Sequence, residues 1–189
     1  MNKLVTEFIE LNLSSSYSAE QFADKHDHTY QLVSAHFSAH YFLDNLTEPL
    51  LPALVADGGV FVCTLFDGDA VRELLRAAPG GKREWRIDGE LQTSLRFAGA
   101  EGDDESAVKV YVDTIGQEIE EPLCDLSDFC RRMEASGFKL LERRSFSSFP
   151  SPEFPADHPM RSFSNLYTCL AFEKEKSAPM PWEAGCMPP

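Results

Sequence analysis

Asp57-Gly58-Gly59-Val60-Phe61-Val62-Cys63-Thr64-Leu65-Phe66-Asp67-Gly68-Asp69 carries the fold of this 189-residue chain in its pattern. Val60 to Leu65 is a continuous apolar run, as expected of a strand covered on both faces in a parallel sheet. Before it, Leu46 to Ala56 is apolar at helical spacing, and Asp57-Gly58-Gly59 supplies a helix stop. After it, Asp67-Gly68-Asp69 puts acids at the positive end of a helix that runs through Arg76 and closes before Pro79-Gly80-Gly81. Helix, buried strand and helix in this order form a crossover unit, and such units build α/β sheets.

Upstream, Tyr30 to Phe37 reads as a strand through Leu32 and Val33. A helix precedes it, with Ser18 and Gln21 as a capping box and its body reaching Asp24 before the polar His26-Asp27-His28-Thr29 turn. Leu4 to Leu13 is a first strand that stops at three serines. Downstream, Trp85 to Phe97 and Val108 to Val112 form an inserted antiparallel pair around the acidic loop Gly99 to Glu105. A helix from Asp125 or Ser127 through Ala135 stops at Gly137. Phe138 to Leu141 and Leu166 to Phe172 then make a C-terminal hairpin with a long loop, Ser147 to Ser162. The expected organisation is one domain over 1–176 and a flexible Pro-rich tail over 177–189. There is no internal repeat.

Acidic residues number 31 against 17 basic ones, a net charge of -14 that argues against a long grip on a phosphate backbone. Any nucleic-acid contact is expected to be short and local. With 43% hydrophobic residues the chain can bury a sizeable core, yet no apolar run approaches a membrane span and Met1 to Glu10 carries acids where a signal peptide carries bases. An intracellular protein, nuclear or cytoplasmic, is the expectation. Cys63, Cys124, Cys130, Cys169 and Cys186 contain no C-x-x-C pair, so they read as reduced thiols, and no metal site is expected. Cys63 and Cys169 lie in apolar runs as small core residues.

Five segments in order resemble the messenger RNA cap guanine-N7 methyltransferases. His36-Phe37-Ser38-Ala39-His40-Tyr41 is similar to the family's Q-F-x-x-H-Y segment, and Asp57 to Thr64 to its P-G-G-x-F-I-G-T stretch. Asp67 to Arg72 resembles the D-S-x-x-I-R helix start, Glu121 falls at the Glu of E-F/Y-L-V, and Tyr167 to Lys174 resembles the closing strand. The resemblance covers roughly residues 8 to 174 and only the later part of a family member. It implies a Rossmann-like class I S-adenosylmethionine-dependent methyltransferase sheet that is partial, lacking the first βα units. The upstream D-L-G-C-G-x-G-G-D motif, whose glycines let the backbone approach the methyl donor, has no counterpart here.

By that resemblance Phe37, His40, Glu121, Tyr167 and Phe66 line the cap-guanine pocket, while Asn12, His36 and Tyr41 border S-adenosylmethionine. Glu121 would accept from the N1 and N2 hydrogens of guanine, a pairing adenine cannot offer. His36 departs from the family's Gln, Phe66 from a Pro, and Asn12 stands near a family Asp, accepting more weakly than a carboxylate. Other readings stay open: His36 and His40 as an H-x-x-x-H pair on a helix surface, Glu118 to Pro122 as a solvated charge run, and Tyr167 as a core aromatic.

The implied reaction is methyl transfer to guanine N7 at the 5′ end of capped RNA. N7 already carries a lone pair, so no general base or other catalytic side chain is expected, only orientation and shielding from water. The expected cofactor is S-adenosylmethionine, with no metal. A second chain or an upstream half would supply the glycine-rich motif, and a homo-oligomer is one form this could take. The alternative is a catalytically inactive methyltransferase-like subunit that stabilises or stimulates a partner, which the changes at Asn12, His36 and Phe66 favour.

Overall fold

The computed structural model describes residues 12–176, apart from 14, 26–27, 100–104, 150–154 and 156. The expected strand from Leu4, most of the acidic loop and the tail after 176 therefore lie outside the described residues. The first helix, α1, spans Ser16–Lys25. It starts earlier than the Ser18 capping box suggested, because the Ser15 hydroxyl accepts the Ser18 amide at 3.4 Å and so occupies the cap position. Strand β1 follows at Tyr30–His36.

The expected helix over Leu46 to Ala56 is broken. Two short helical turns, Leu46–Leu50 and Leu51–Leu54, stand in its place, with Glu48 extended at φ -144 and ψ 120. Pro49 is the cause, since the residue before a proline is crowded out of the helical region. The strand β2 then begins at Val55 and runs to Phe66, so Asp57-Gly58-Gly59 is a bulge inside a strand and not a helix stop. Pairing with β1 jumps there, from Tyr30 opposite Val55 to Leu32 opposite Val60. A Cβ at Gly59 would lie 2.8 Å from the Ala56 oxygen and 2.9 Å from that of Tyr30, so the bulge admits only glycine.

Helix α2, Gly68–Ala77, begins where Asp67 to Asp69 placed it, with the Asp67 carboxylate accepting the amides of Asp69 and Ala70. The inserted pair is present and is widened to four antiparallel strands: β3 Lys82–Ile87, β4 Glu90–Phe97, β5 Ala107–Val112 and β6 Gln117–Pro122. Trp85 to Phe97 is not one strand, because Asp88-Gly89 turns the chain with both residues at positive φ, the signature of a two-residue hairpin. Helix α3, Leu126–Ala135, is capped by Asp125, which accepts from Ser127 and Asp128. The C-terminal hairpin is as expected, with β7 extended to Ser145 (Phe138–Ser145) and β8 at Tyr167–Lys174.

The main sheet has the order β1-β2-β8-β7, with β1 parallel to β2 and β8 antiparallel to both its neighbours. Its core holds Phe61, Phe172 and Phe129, with Phe129 edge-on to Phe172 at 5.6 Å. A second core joins α2 to the inserted sheet through Val71, Leu75, Trp85, Leu95 and Val108, and the end of β2 reaches it at Phe66. At the outer strand β1, Leu32 is 64% exposed.

Asp125→Ala is expected to lower stability by about 1 kcal/mol, the usual cost of an N-cap. The amide of Asp128 holds the Asp125 carboxyl below its ordinary range, against an opposing effect of burial that outweighs the further help of the Ser127 amide. A depressed carboxyl pKa stabilises the fold above its unfolded value near 3.9, and that stabilisation fades as pH falls towards the folded value. Urea melts should therefore show the parent and the variant converging in acid; a gap that persists below both values would remove the cap from the account.

Candidate functional site

The carboxyl end of β1 lies beside that of β2, and Thr64 of β2 fixes the chain as it leaves β1. The Phe37 amide donates to the Thr64 carbonyl at 2.8 Å and to its hydroxyl at 3.1 Å, and His36 Nδ1 lies 3.3 Å from that hydroxyl. Phe37 takes φ 57, a left-handed conformation that is unusual for a bulky residue and that these hydrogen bonds stabilise. The Phe37 ring then meets Tyr167 of β8 edge-on at 5.0 Å and stays 51% exposed.

One helical turn, Ala39–Tyr41, follows and buries His40. Strand alternation on β6 turns Ile119 and Glu121 inward while Glu118 and Glu120 face water. Glu121 is thereby brought to the turn: its Oε2 stands 3.3 Å from His40 Nε2, with side-chain exposures of 17% and 1%. That contact is off the line of a hydrogen bond, and both His40 ring nitrogens are buried without a hydrogen-bond partner among the described residues. Tyr41 sits against the same carboxylate, its ring 4.3 Å from that of His40. The Tyr41 phenol is pushed well above its ordinary pKa, first by burial, then by the charge of Glu121 and a hydrogen bond to it. Tyr167 is pushed up likewise, by burial and then by the charges of Glu121 and Tyr41.

Five of the eight expected site residues thus converge: Phe37, His40, Tyr41, Glu121 and Tyr167. Phe66 is fully buried and stacks on Tyr167 at 4.3 Å, so it touches the cluster from beneath. His36 faces the other way, into a groove of about 410 Å³ beside β1 that is also lined by Leu13, Val33, Ser38 and Phe42. Asn12 precedes Leu13, exposed, its carbonyl accepting the Ser15 amide at 3.2 Å. A second cavity, about 440 Å³, opens beside His40 and Tyr41 towards Asn45, Pro122 and Arg132.

The structure corrects two of the open readings. His36 and His40 are not a pair on a helix surface, since one ends a strand and the other is buried in a turn. The acidic run is an edge strand whose alternate residues differ in exposure, so Glu121 is not part of a solvated face. Sequence reasoning missed Thr64 and Phe146. Thr64 carried a signal, because a residue at the end of a parallel strand borders the crevice in which such sheets bind ligands. Phe146, 5.9 Å from Tyr167, follows β7 in a connection with no periodic pattern to mark it.

Chemically, the cluster offers a carboxylate that accepts two N–H groups, aromatic walls for a flat ring and a histidine with unused nitrogens. Cys63 is buried and its thiol is pushed up by burial; Cys124 is raised to about 12 for the same first reason, so neither is a ready nucleophile. Among the described residues there is no group of three or more His, Cys, Asp or Glu side chains placed to hold a metal ion. No helix among them is long and apolar enough to cross a membrane.

No family model and no curated protein matches the sequence. Solved structures do match the fold. An S-adenosylmethionine-dependent methyltransferase from Listeria monocytogenes superposes with a TM-score of 0.50 at 14% identity, over 78% of this chain and 62% of that one. A methyltransferase from Clostridium acetobutylicum gives 0.45 at 12% identity, over 80% and 61%. One from Mesorhizobium loti gives 0.46 at 16% identity, over 77% and 62%. The chain therefore spans less than two thirds of the length of these structures. What the likeness shows is the fold: the chain has a partial Rossmann-like α/β sheet similar to that of the Listeria methyltransferase, with an antiparallel insert and a C-terminal hairpin.

Proposed function

We infer that this chain forms the guanine-binding side of an S-adenosylmethionine-dependent methyltransferase acting on the N7 of the messenger RNA cap. The observation that carries the reading is the meeting of Glu121 with His40, 3.3 Å apart, beside Tyr41 and Tyr167. These residues come from three separate segments of the family resemblance, and nothing local in the sequence requires them to meet. In this reading Glu121 accepts from guanine N1 and N2, His40 gives one of its unused ring nitrogens to the base, and Phe37 and Tyr167 hold its faces. Phe66 supports Tyr167 from below.

The groove beside His36 suits the methyl donor in character, with apolar Val33 and Phe42 for an adenine face and the hydroxyl of Ser38 and the His36 ring for polar contacts. When bound, S-adenosylmethionine supplies a methyl group on a sulfonium. Of the three residues of this chain expected to hold it, His36 lines this groove, Asn12 adjoins its Leu13 wall, and Tyr41 stands across the turn with the guanine cluster. Their task is to orient donor and base on either side of the turn at Ala39–Tyr41 and to exclude water between them. The exposed Leu32 at the outer strand favours a further polypeptide segment or second chain completing the sheet and bringing the glycine-rich turn. The same edge would serve a non-catalytic subunit bound to an active partner.

Calorimetric titration separates this reading from a generic fold. Guanosine triphosphate should bind the full chain roughly tenfold or more tighter than adenosine triphosphate, because adenine leaves Glu121 facing no N–H pair. Equal affinities for the two nucleotides would sink the guanine assignment whatever the chain does with the methyl donor.

A further inference from the structure

The aromatic cluster continues beyond Tyr167 towards the surface. Phe146 lies 6.1 Å from Phe37 and 5.9 Å from Phe149, with the ring planes of each pair close to perpendicular. Phe149 is 39% exposed, and the guanidinium of Arg144 sits over its ring at 5.7 Å. Arg161 donates to the carbonyls of Ser147 and Phe149, at 3.3 Å each, and so pins the strap that carries both phenylalanines. Arg144 also pairs with Glu142 at 2.6 Å, and Arg143 with Asp67 at 3.1 Å; these pairs are about half exposed except for Asp67. In a chain of net charge -14, two arginines on one exposed aromatic strap, Arg144 over the Phe149 ring and Arg161 on its backbone, are a local exception.

We propose that the strap Phe146–Phe149, with Arg144, is a stacking platform for the first nucleotides of single-stranded RNA that follow the cap guanosine. The proposal rests on the guanine reading above and extends it by one subsite. An exposed π-face beside a guanidinium is the combination by which single strands are bound without base readout. Its continuity with Phe37 and Tyr167 sets the direction, from the base held by Glu121 outward along Phe146 to Phe149. The Glu142 pair limits the charge available, which fits a short contact: a base stacked on Phe149 and one phosphate on Arg144.

The test uses the full chain and four probes measured by fluorescence competition: guanosine triphosphate, a guanosine-capped dinucleotide, a short capped oligoribonucleotide, and its uncapped counterpart. The capped oligonucleotide should bind about tenfold tighter than the capped dinucleotide, the worth of one stacked base. Phe149→Ala and Arg144→Ala should each erase most of that margin and leave guanosine triphosphate affinity unchanged, while Phe149→Trp should keep it. A capped oligonucleotide that binds no tighter than the dinucleotide, or a margin indifferent to Phe149→Ala, overturns the platform and leaves the guanine reading standing. Binding of both oligonucleotides that depends on Phe149, without affinity for guanosine triphosphate, leaves the platform standing and overturns the guanine reading. No binding of any probe overturns both.

Discussion

Glu121→Gln is expected to weaken guanine nucleotide binding by roughly 10- to 100-fold, the range for losing a hydrogen bond to a charged acceptor while a buried donor is left unpaired. The substitution keeps the shape of the side chain but turns one acceptor into a donor facing the base's own N–H groups. Stability should change little, because the carboxylate is not hydrogen-bonded to His40 and glutamine keeps a side-chain oxygen to accept from the Tyr41 phenol. A readout independent of any nucleotide comes from the phenols. Glu121 is the main charge that raises Tyr41 and Tyr167 after burial, so in Glu121→Gln both should ionise at lower pH than in the parent, though still above the ordinary range. Ultraviolet phenolate absorbance follows this directly. If the titration is unchanged, the carboxylate does not reach the two phenols and the cluster itself is wrong. If the titration shifts but binding is unaffected, the cluster is real and guanine is read elsewhere.

The elements that could be read from sequence were those whose local chemistry and tertiary setting agree. Val60 to Leu65 is apolar because both faces of β2 are covered, and Asp67 and Asp125 each precede a helix whose first amides they accept. The failures have equally local causes. Helical apolar spacing over Leu46 to Ala56 was overridden by one proline, and the glycines after it serve a bulge that exists only because β1 lies alongside. That contact is a tertiary fact with no trace in the window. Likewise β7 runs on through Glu142, Arg143 and Arg144, charges beyond the apolar start Phe138 to Leu141 that suit an edge strand exposed to water.

The site was legible residue by residue only through the family resemblance. Residue types alone left Glu121 as one acid among several, since among the described residues β6 pairs only with β5 and its pattern is too short to orient a side chain from sequence. The pairing of Val108 with Glu121 fixes the register and with it which acid turns inward. Thr64 stands at the last position of the P-G-G-x-F-I-G-T stretch, but the resemblance gives it no role in the site, and Phe146 lies outside the quoted motifs; both act through the placement of Phe37.

Gly68→Ala is expected to destabilise the chain by several kcal/mol, more than most single substitutions. The reason is a close approach. A Cβ at position 68 would stand 2.4 Å from the carbonyl oxygen of Cys124 and 3.1 Å from its carbon, and both are backbone atoms that no rotamer change can move. The Gly68 amide donates to that same oxygen at 3.1 Å, so the methyl group would push apart the two segments that the hydrogen bond joins. Four elements meet there: the end of β2, the start of α2, the connection from β6 to α3, and the lead into β8, where the Asp67 amide donates to the Leu166 carbonyl at 2.8 Å. Glu121 lies at the end of β6, three residues before Cys124 of that connection, while His40 and Tyr41 hang from β1. A shift of the connection by about an ångström would misplace the carboxylate relative to the turn, and errors of that size are costly to orientation-dependent chemistry. Chemical denaturation of Gly68→Ala should therefore show a large loss, and whatever folded protein remains should bind guanosine triphosphate poorly although no residue touching the base has changed. Asp69→Ala, one position along and exposed, is the control and should stay within about 0.5 kcal/mol of the parent. A Gly68→Ala chain that melts with the parent would mean that the connection is not seated against α2, and the placement of Glu121 beside His40 would lose its structural basis.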